Sequence, residues 1–362
     1  MSVAITGMGA ICALGASPQQ LFDRLCAGAS GLHPDPKAKG PTARLPRVYA
    51  TSDMAVFAAR DALGDYPNPA EIGLVGASTS GDMSVAERAW KAWRAGEEPE
   101  SPKHFIWRQL AHVPTQRVAW ELGIEGSRST VSTACTSGTV AIANAVDLIE
   151  SGSCPAALAF GADALCSITR EGFGSLGVYS PERTRPFDEH RQGMNLGEGA
   201  GALLLEDLDH ALARGATVFA VVHGSGNASD AHHLTAPHPE ARGALAAIEQ
   251  ALGGESVDYV NAHATGTLKN DEMEALALGP LGAAVSGIKG AIGHCLGAAG
   301  TLEAVVAVMA LQRGIAPPNT GLVSSTFDLD LVREPRRMKI RTVLSVNFAF
   351  GGHNAALALR AP

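Results

Sequence analysis

The sequence lacks several features that would place it elsewhere. Its longest apolar runs, such as AGALLL and LEAVVAVMAL, fall short of the ~20 residues a helix needs to cross a bilayer, so no membrane span is expected. The opening MSVAITGMGAI has neither a basic lead nor a cleavage site. It reads as a first strand and turn instead of a secretory signal, and a cytoplasmic location is expected. Cys12, Cys26, Cys135, Cys154, Cys166 and Cys295 show no paired spacing, which fits reduced thiols and no disulfide framework. Basic residues are outnumbered, 28 Lys and Arg against 36 Asp and Glu. The formal charge of −8 disfavours nucleic acid and leaves an acidic partner only a local basic patch. The G-x-S-x-G turn of a serine hydrolase is missing. GMGAICALG follows the first strand, yet Cys12 stands at the third glycine position and no acidic ribose ligand is evident, which argues against a nicotinamide enzyme. DAHHLTAPHP gathers His232, His233 and His238 without matching cysteine or carboxylate spacing, and no metal is predicted.

What is present suits a large α/β protein. A chain of 362 residues, 46% hydrophobic with 41 scattered glycines, calls for two domains or one duplicated unit. Strand-like segments at 3–8, 72–79, 129–134, 156–163 and 200–206 alternate with helix-like segments near 18–27, 52–63, 84–95, 103–122 and 137–150. This alternation predicts a mostly parallel sheet with helix cover. From about residue 216 the pattern recurs, with TVFAVVHGSG, VDYVNAHA, GIKGAIG and TVLSVNF as strands and helices at 239–252, 271–278 and 298–313. The expected division is 1–207 and 208–362. The proline-bearing stretch 30–50 reads as an irregular surface crossing.

STACTSGTVAIANAV and GAIGHCLGAAGTLEAVVAVMAL echo one another: each passes from strand through a polar turn into a helix of small residues. The first turn carries Cys135 and the second His294. A thiol at a helix start lies near the positive end of the helix dipole and several free N–H groups. That setting favours thiolate and offers an oxyanion site, as acyl transfer requires. Taken alone, the turn better suits a cysteine that is merely a small buried hydrophobe. Its neighbours decide. His263, in VNAHATGTLKNDEMEAL, and His294 each end a predicted strand, where catalytic groups of α/β sheets converge. Lys289 lies five residues before His294, and Asp271, Glu274 and Glu303 are its candidate ion-pair partners.

At these residues the chain resembles the elongating β-ketoacyl-acyl-carrier-protein synthases of the thiolase fold. TACTSG, RPFDEHRQGMNLGEGAGALLLED, VNAHATGT with its following ND and E, K…GHCLGAAGTLEAV and NFAFGGHNAAL occur in the family's order, over most of the chain. The resemblance implies a thiolase-like α/β fold, with duplicated halves in a layered α-β-α-β-α sandwich. The first half would carry the nucleophile and the second both histidines. It makes Cys135 the acyl acceptor, and His263 and His294 the pair that assists decarboxylation of a malonyl extender. Lys289 and Glu303 would be supporting charges. The N–H groups of Cys135 and Phe350 would form the oxyanion hole, with Phe350 also gating the acyl pocket. Thr265 and Thr267 would hold the phosphopantetheine arm, and Phe348 would line the substrate site.

No cofactor of the chain's own is implied, since phosphopantetheine arrives on an acyl carrier protein. A homodimer, or a heterodimer with a related ketosynthase or chain-length-factor subunit, is expected. The carrier's basic docking patch is sought among Arg60, Arg183, Arg185, Arg333, Arg336 and Arg337. The chain departs from the family at Ala264, Gly266, Ile288 and His353, and is shortened between residues 30 and 75, which points to a specialised polyketide, polyene or fatty-acid substrate. The C-terminal CxGxG turn of a degradative thiolase is absent, and a starter-type synthase would have Asn at His294. The remaining alternative is a partner subunit like a chain-length factor, although such subunits usually lose the cysteine.

Overall fold

The structure is a computed structural model that describes residues 2–97 and 107–362. Among these residues, eleven strands form one continuous sheet. They are β1 (Val3–Cys12), β2 (Gly73–Ala77), β3 (Arg128–Val131), β4 (Ala156–Asp163), β5 (Gly199–Asp207) and β6 (Ala220–Ser229). β7 (Tyr259–Asn261), β8 (Ala284–Ser286), β9 (Asp330–Leu331), β10 (Thr342–Phe348) and β11 (His353–Arg360) complete it. The spatial order is β9-β8-β7-β10-β11-β6-β1-β5-β4-β2-β3.

The order contains one motif twice. With the two-residue edge strand β9 set aside, the strands of each half lie as third, second, fourth, fifth, first: β3-β2-β4-β5-β1 and then β8-β7-β10-β11-β6. The second strand pairs parallel with the third and the fourth in both halves. The fifth pairs antiparallel with the fourth and the first. β1 and β6 join the halves, from Val3 opposite Val222 to Ile5 opposite Ala220. The sheet is therefore mixed, not mostly parallel. The fifth strand of each half returns beside the fourth in the opposite direction, in the second half through a tight hairpin at 349–352 and in the first through a long connection that includes helix Ser167–Ser175.

Two helices, Ser137–Glu150 and Ala299–Arg313, occupy the centre. Every residue from Ala299 to Leu311 is buried, as a helix apolar on all sides must be. The stretch Leu296–Arg313 has the length and composition to cross a membrane, yet 89% of it is enclosed within the protein. The helices touch through their second residues. A Cβ on Gly138 would stand 2.7 Å from the Thr301 nitrogen, and one on Gly300 would stand 2.3 Å from Thr139 Oγ1.

Local departures from the sequence reading have physical causes. GIKGAIG is not a strand: β8 ends before it, and Lys289–Ile292 is a helical turn closed by Gly293 at φ 67°. A Cβ on Gly290 would stand 2.1 Å from Thr320 O, so the apolar run reflects close packing. The stretch 30–50 holds a short antiparallel pair, Leu32–His33 with Thr42–Ala43, and Ala43 bonds to the backbone of Leu196 and Glu198. The helix expected at 103–122 is regular over Val113–Leu122, and its first four residues lie outside the described ones.

Candidate active site

Cys135 follows Ala134, whose φ of 52° makes the sharp bend from strand to helix. A single 3-10 turn, Ala134–Thr136, then runs into helix Ser137–Glu150. Hydroxyls hold the bend: Ser137 Oγ donates to Ala134 O and accepts from Thr133 N at 2.8 Å, while Thr136 Oγ1 donates to Thr133 O at 2.7 Å. Sγ is thereby fixed toward a cavity of about 250 Å³ lined also by His263, His294, Thr265, Thr267, Phe348 and Phe350. The structure brings these residues together as the sequence anticipated. Lys289 and Glu303 stand behind them, away from the cavity lining.

The two imidazoles meet the sulfur from different loops. One donor atom each from Cys135, His263 and His294 lies within 4.8 Å of the others, and the rings stand edge to face with centroids 5.3 Å apart. Hydrogen bonding behind each ring assigns its tautomer. Nδ1 of His263 accepts from Lys289 Nζ at 3.1 Å and Asn347 Nδ2 at 3.2 Å. Nδ1 of His294 accepts from the Leu296 N–H at 3.1 Å. Both protons therefore sit on Nε2, which in His294 is buried with no partner. Burial first, and the Lys289 charge second, hold both rings well below the usual histidine range, so they are neutral near pH 7. A metal-binding histidine donates its outer N–H and coordinates through the other nitrogen. Here both outer nitrogens accept, so the cavity is presented with two N–H donors.

One expectation about the thiol is overturned. Burial pushes Cys135 up to about 11, although Lys289 and the N–H groups of Phe350 and Cys135 pull it down. From an ordinary value of 9.0, that net rise amounts to roughly 3 kcal/mol opposing ionisation even with the pull of those N–H groups included. A helix N-terminus typically returns ~0.3–1 kcal/mol. Desolvation wins, and the resting group is a thiol.

Of the three candidate acids, only Glu303 meets Lys289; the two form a buried ion pair. Asn347 completes the set by donating to Glu303 Oε2 at 2.6 Å and to His263, and Lys289 also donates to His263 O at 2.7 Å. Glu274 instead accepts from the N–H groups of His263 and Ala264 at 2.6 and 2.7 Å, and Asp271 from those of Phe187 and Gly266 at 2.8 and 3.1 Å. Both carboxylates therefore shape the His263 loop. The motif RPFDEHRQGMNLGEGAG acts similarly for His294, whose N–H donates to Asn195 O at 2.7 Å and whose carbonyl accepts from Gly197 N at 3.0 Å. Asn347 was missed although it opens the motif NFAFGGHNAAL, because nothing local marks which residue of that motif reaches His263 and Glu303.

At the cavity wall Phe350 stacks on Phe173, with centroids 5.7 Å apart. Thr265 and Thr267 share a hydrogen bond of 2.9 Å. None of the six candidate docking arginines lines the cavity, whereas Lys269 does. Arg60, Arg185 and Arg336 pair with Glu121, Glu182 and Asp330.

A buried thiol facing two neutral imidazoles, at the start of a central helix in a duplicated α/β fold, is the arrangement of an acyl-transferring condensing enzyme of the thiolase-like class. Comparison narrows the class. Residues 57–211 match "Beta-ketoacyl synthase, N-terminal domain" and residues 219–323 match "Beta-ketoacyl synthase, C-terminal domain". Nodulation protein E of Rhizobium meliloti (strain 1021) is 33% identical over 99% of this chain and 98% of its own. 3-Oxoacyl-[acyl-carrier-protein] synthase 2 of Coxiella burnetii is 32% identical over 99% and 98%. Among solved structures, the ishigamide ketosynthase/chain length factor superposes with a TM-score of 0.91 at 30% identity, covering 100% of this chain and 99% of that one. The chain belongs to the beta-ketoacyl synthase family.

Proposed function

We propose that the protein catalyses decarboxylative Claisen condensation between an acyl group on Cys135 and malonyl-acyl-carrier protein, giving β-ketoacyl-carrier protein. The observation that carries this reading is the pair of Nε2–H donors facing one thiol. The thiol first displaces the carrier's phosphopantetheine sulfur from the acyl carbonyl, and the proton ends on the departing thiol. Malonyl-carrier then enters and loses CO₂. The resulting enolate oxygen is held by the N–H groups of His263 and His294, which match charge that develops only in the transition state. The carbanion attacks the Cys135 thioester, whose oxyanion is held by the N–H groups of Cys135 and Phe350. The C–S bond breaks, and the Cys135 sulfur takes up a proton.

Lys289 keeps His263 neutral and Glu303 balances the lysine. Phe350 gates the acyl side, Phe348 lines the site, and Thr265 and Thr267 hold the phosphopantetheine arm. The phosphopantetheine comes on the carrier, and the chain brings no cofactor. The complete set of Cys135, His263 and His294 speaks against a non-catalytic partner subunit. The likeness to a ketosynthase/chain length factor supports a dimer, homomeric or with such a subunit, in fatty-acid, polyketide or polyene synthesis in the cytoplasm. We assign residues 1–207 and 208–362 to the two halves. Intact-mass measurement with a panel of acyl-carriers, with and without malonyl-carrier, tests the reading: a stable acyl adduct that malonyl-carrier discharges is expected, and no adduct with any acyl-carrier refutes it.

A further inference from the structure

The hairpin that carries Phe350 is anchored to its surroundings on two sides. On the outer side, Asp230 N–H donates to Gly352 O at 2.7 Å and Gly351 N–H to Leu234 O at 2.8 Å. On the inner side it faces the nucleophile turn: Phe350 and Cys135 line the same cavity, where the Phe350 N–H favours the ionised sulfur. A second inner contact comes from His353, the first residue of β11, whose Nδ1 lies 3.1 Å from Thr136 Oγ1. Thr136 has one hydroxyl proton and three neighbours for it, His353, Thr133 Oγ1 at 3.0 Å and the Thr133 carbonyl at 2.7 Å; the carbonyl, which is nearest and can only accept, takes it. Oγ1 is therefore an acceptor toward His353, whose Nδ1 must carry hydrogen. This is the reverse of the tautomer found at His263 and His294. His353 is half-buried and held below the usual histidine range by burial alone, so its single proton is committed to this bond near pH 7.

Gly351 and Gly352, at φ 90° and 76°, separate the two inner contacts. Such glycines have little intrinsic stiffness, so the tip's position depends on what holds its ends. One end continues from β10, whose Phe348 pairs with Asn354. The other end is His353, bonded to the residue next to the nucleophile.

We infer that His353 is a positioning residue for acyl transfer: through Nδ1–H···Oγ1 of Thr136 it holds the Phe350 N–H in register with the carbonyl oxygen of the group being attached to Cys135. The inference rests on the reading of Cys135 as acyl acceptor, and assigns a task to a residue that touches neither substrate nor sulfur. Losing an oxyanion-hole donor outright costs about 10²–10³-fold in rate, and a donor left in place but loosened should cost about 10-fold.

The test compares two reactions of the same sulfur. Acylation by acyl-carrier develops an oxyanion, whereas alkylation by iodoacetamide displaces iodide and develops none. His353→Ala should slow acylation about 10-fold and alkylation by less than about 2-fold. His353→Asn, which places an N–H near Nδ1, should recover acylation to within about 3-fold of wild type. In a Thr136→Val background, His353→Ala should add little further loss, since one bond cannot be removed twice. Equal slowing of both reactions, unchanged acylation in His353→Ala, no recovery in His353→Asn, or additive losses would each overturn the inference. Absence of acylation in the wild-type chain overturns the proposed function as well, whereas these outcomes in an acylating enzyme sink only the role of His353.

Discussion

The turns before the two central helices have the same backbone construction and opposite chemistry. Ala134 and Leu296, at φ 52° and 53°, each start a 3-10 turn that opens into a long helix with glycine as its second residue. After Ala134 comes Cys135, and its N–H reaches the sulfur at the cavity. After Leu296 comes Gly297, whose N–H is spent on Asp163 at 2.7 Å. Asp163 also gathers hydroxyl and N–H donors from Ser78, Thr79 and Ser80, which offset a burial that pushes its carboxyl up. The second helix start is thus neutralised by the protein, and the imidazole proposed to act on malonyl, His294, stands two residues before the bend. A helix start becomes a reaction site only where its donors are left without an internal acceptor.

The comparison breaks most sharply at the sulfur. Cys135→Ala should abolish acyl loading by intact mass while leaving the fold intact by circular dichroism; loading at the wild-type rate would move the nucleophile elsewhere. His294→Ala should still load but release CO₂ from malonyl-carrier about 10²–10³-fold more slowly, the range for a lost oxyanion donor. Normal CO₂ release would remove that ring from the chemistry. The charge balance at Cys135 is sharpened by pH. Because the anion reacts and its pKa is raised to about 11, iodoacetamide alkylation should climb roughly tenfold per pH unit from 7 to 10. A plateau below pH 8 would show that the helix start outweighs burial. The mildest test is the crossing: Gly138→Ala and Gly300→Ala should each lose roughly 1–3 kcal/mol in urea unfolding, because their Cβ atoms meet backbone or a buried Thr139. A large loss at one and none at the other would refute the equivalence of the two starts.

The sequence carried the turns better than their surroundings. Cys135, His263 and His294 were legible because each sits where an apolar run breaks at small residues before a helix. Lys289 was singled out but placed on a strand, and it lies on a helical turn beside Glu303, since four-residue helical turns and buried strands share apolar runs. β11 escaped notice because HNAALALR is rich in Ala and Leu, residues of weak strand preference, and becomes a strand by lying between β10 and β6. Asn347, though it opens the motif NFAFGGHNAAL, was passed over for a related reason: it touches both His263 and Glu303 across the sheet, a long-range fact that no local spacing encodes. The thiol's raised pKa depends in the same way on total enclosure, while the helix start that opposes it can be read locally.

The bond from Leu296 N–H to His294 Nδ1 has a consequence for how such a site changes over generations. The orientation of His263 is maintained by side chains, Lys289 and Asn347, and one nucleotide change can remove either. At His294 the proton's location is dictated by the course of the main chain, which survives every substitution except one that redirects the loop. Drift can therefore retune the first imidazole gradually, whereas the second can be altered only by replacing it or by rebuilding the bend.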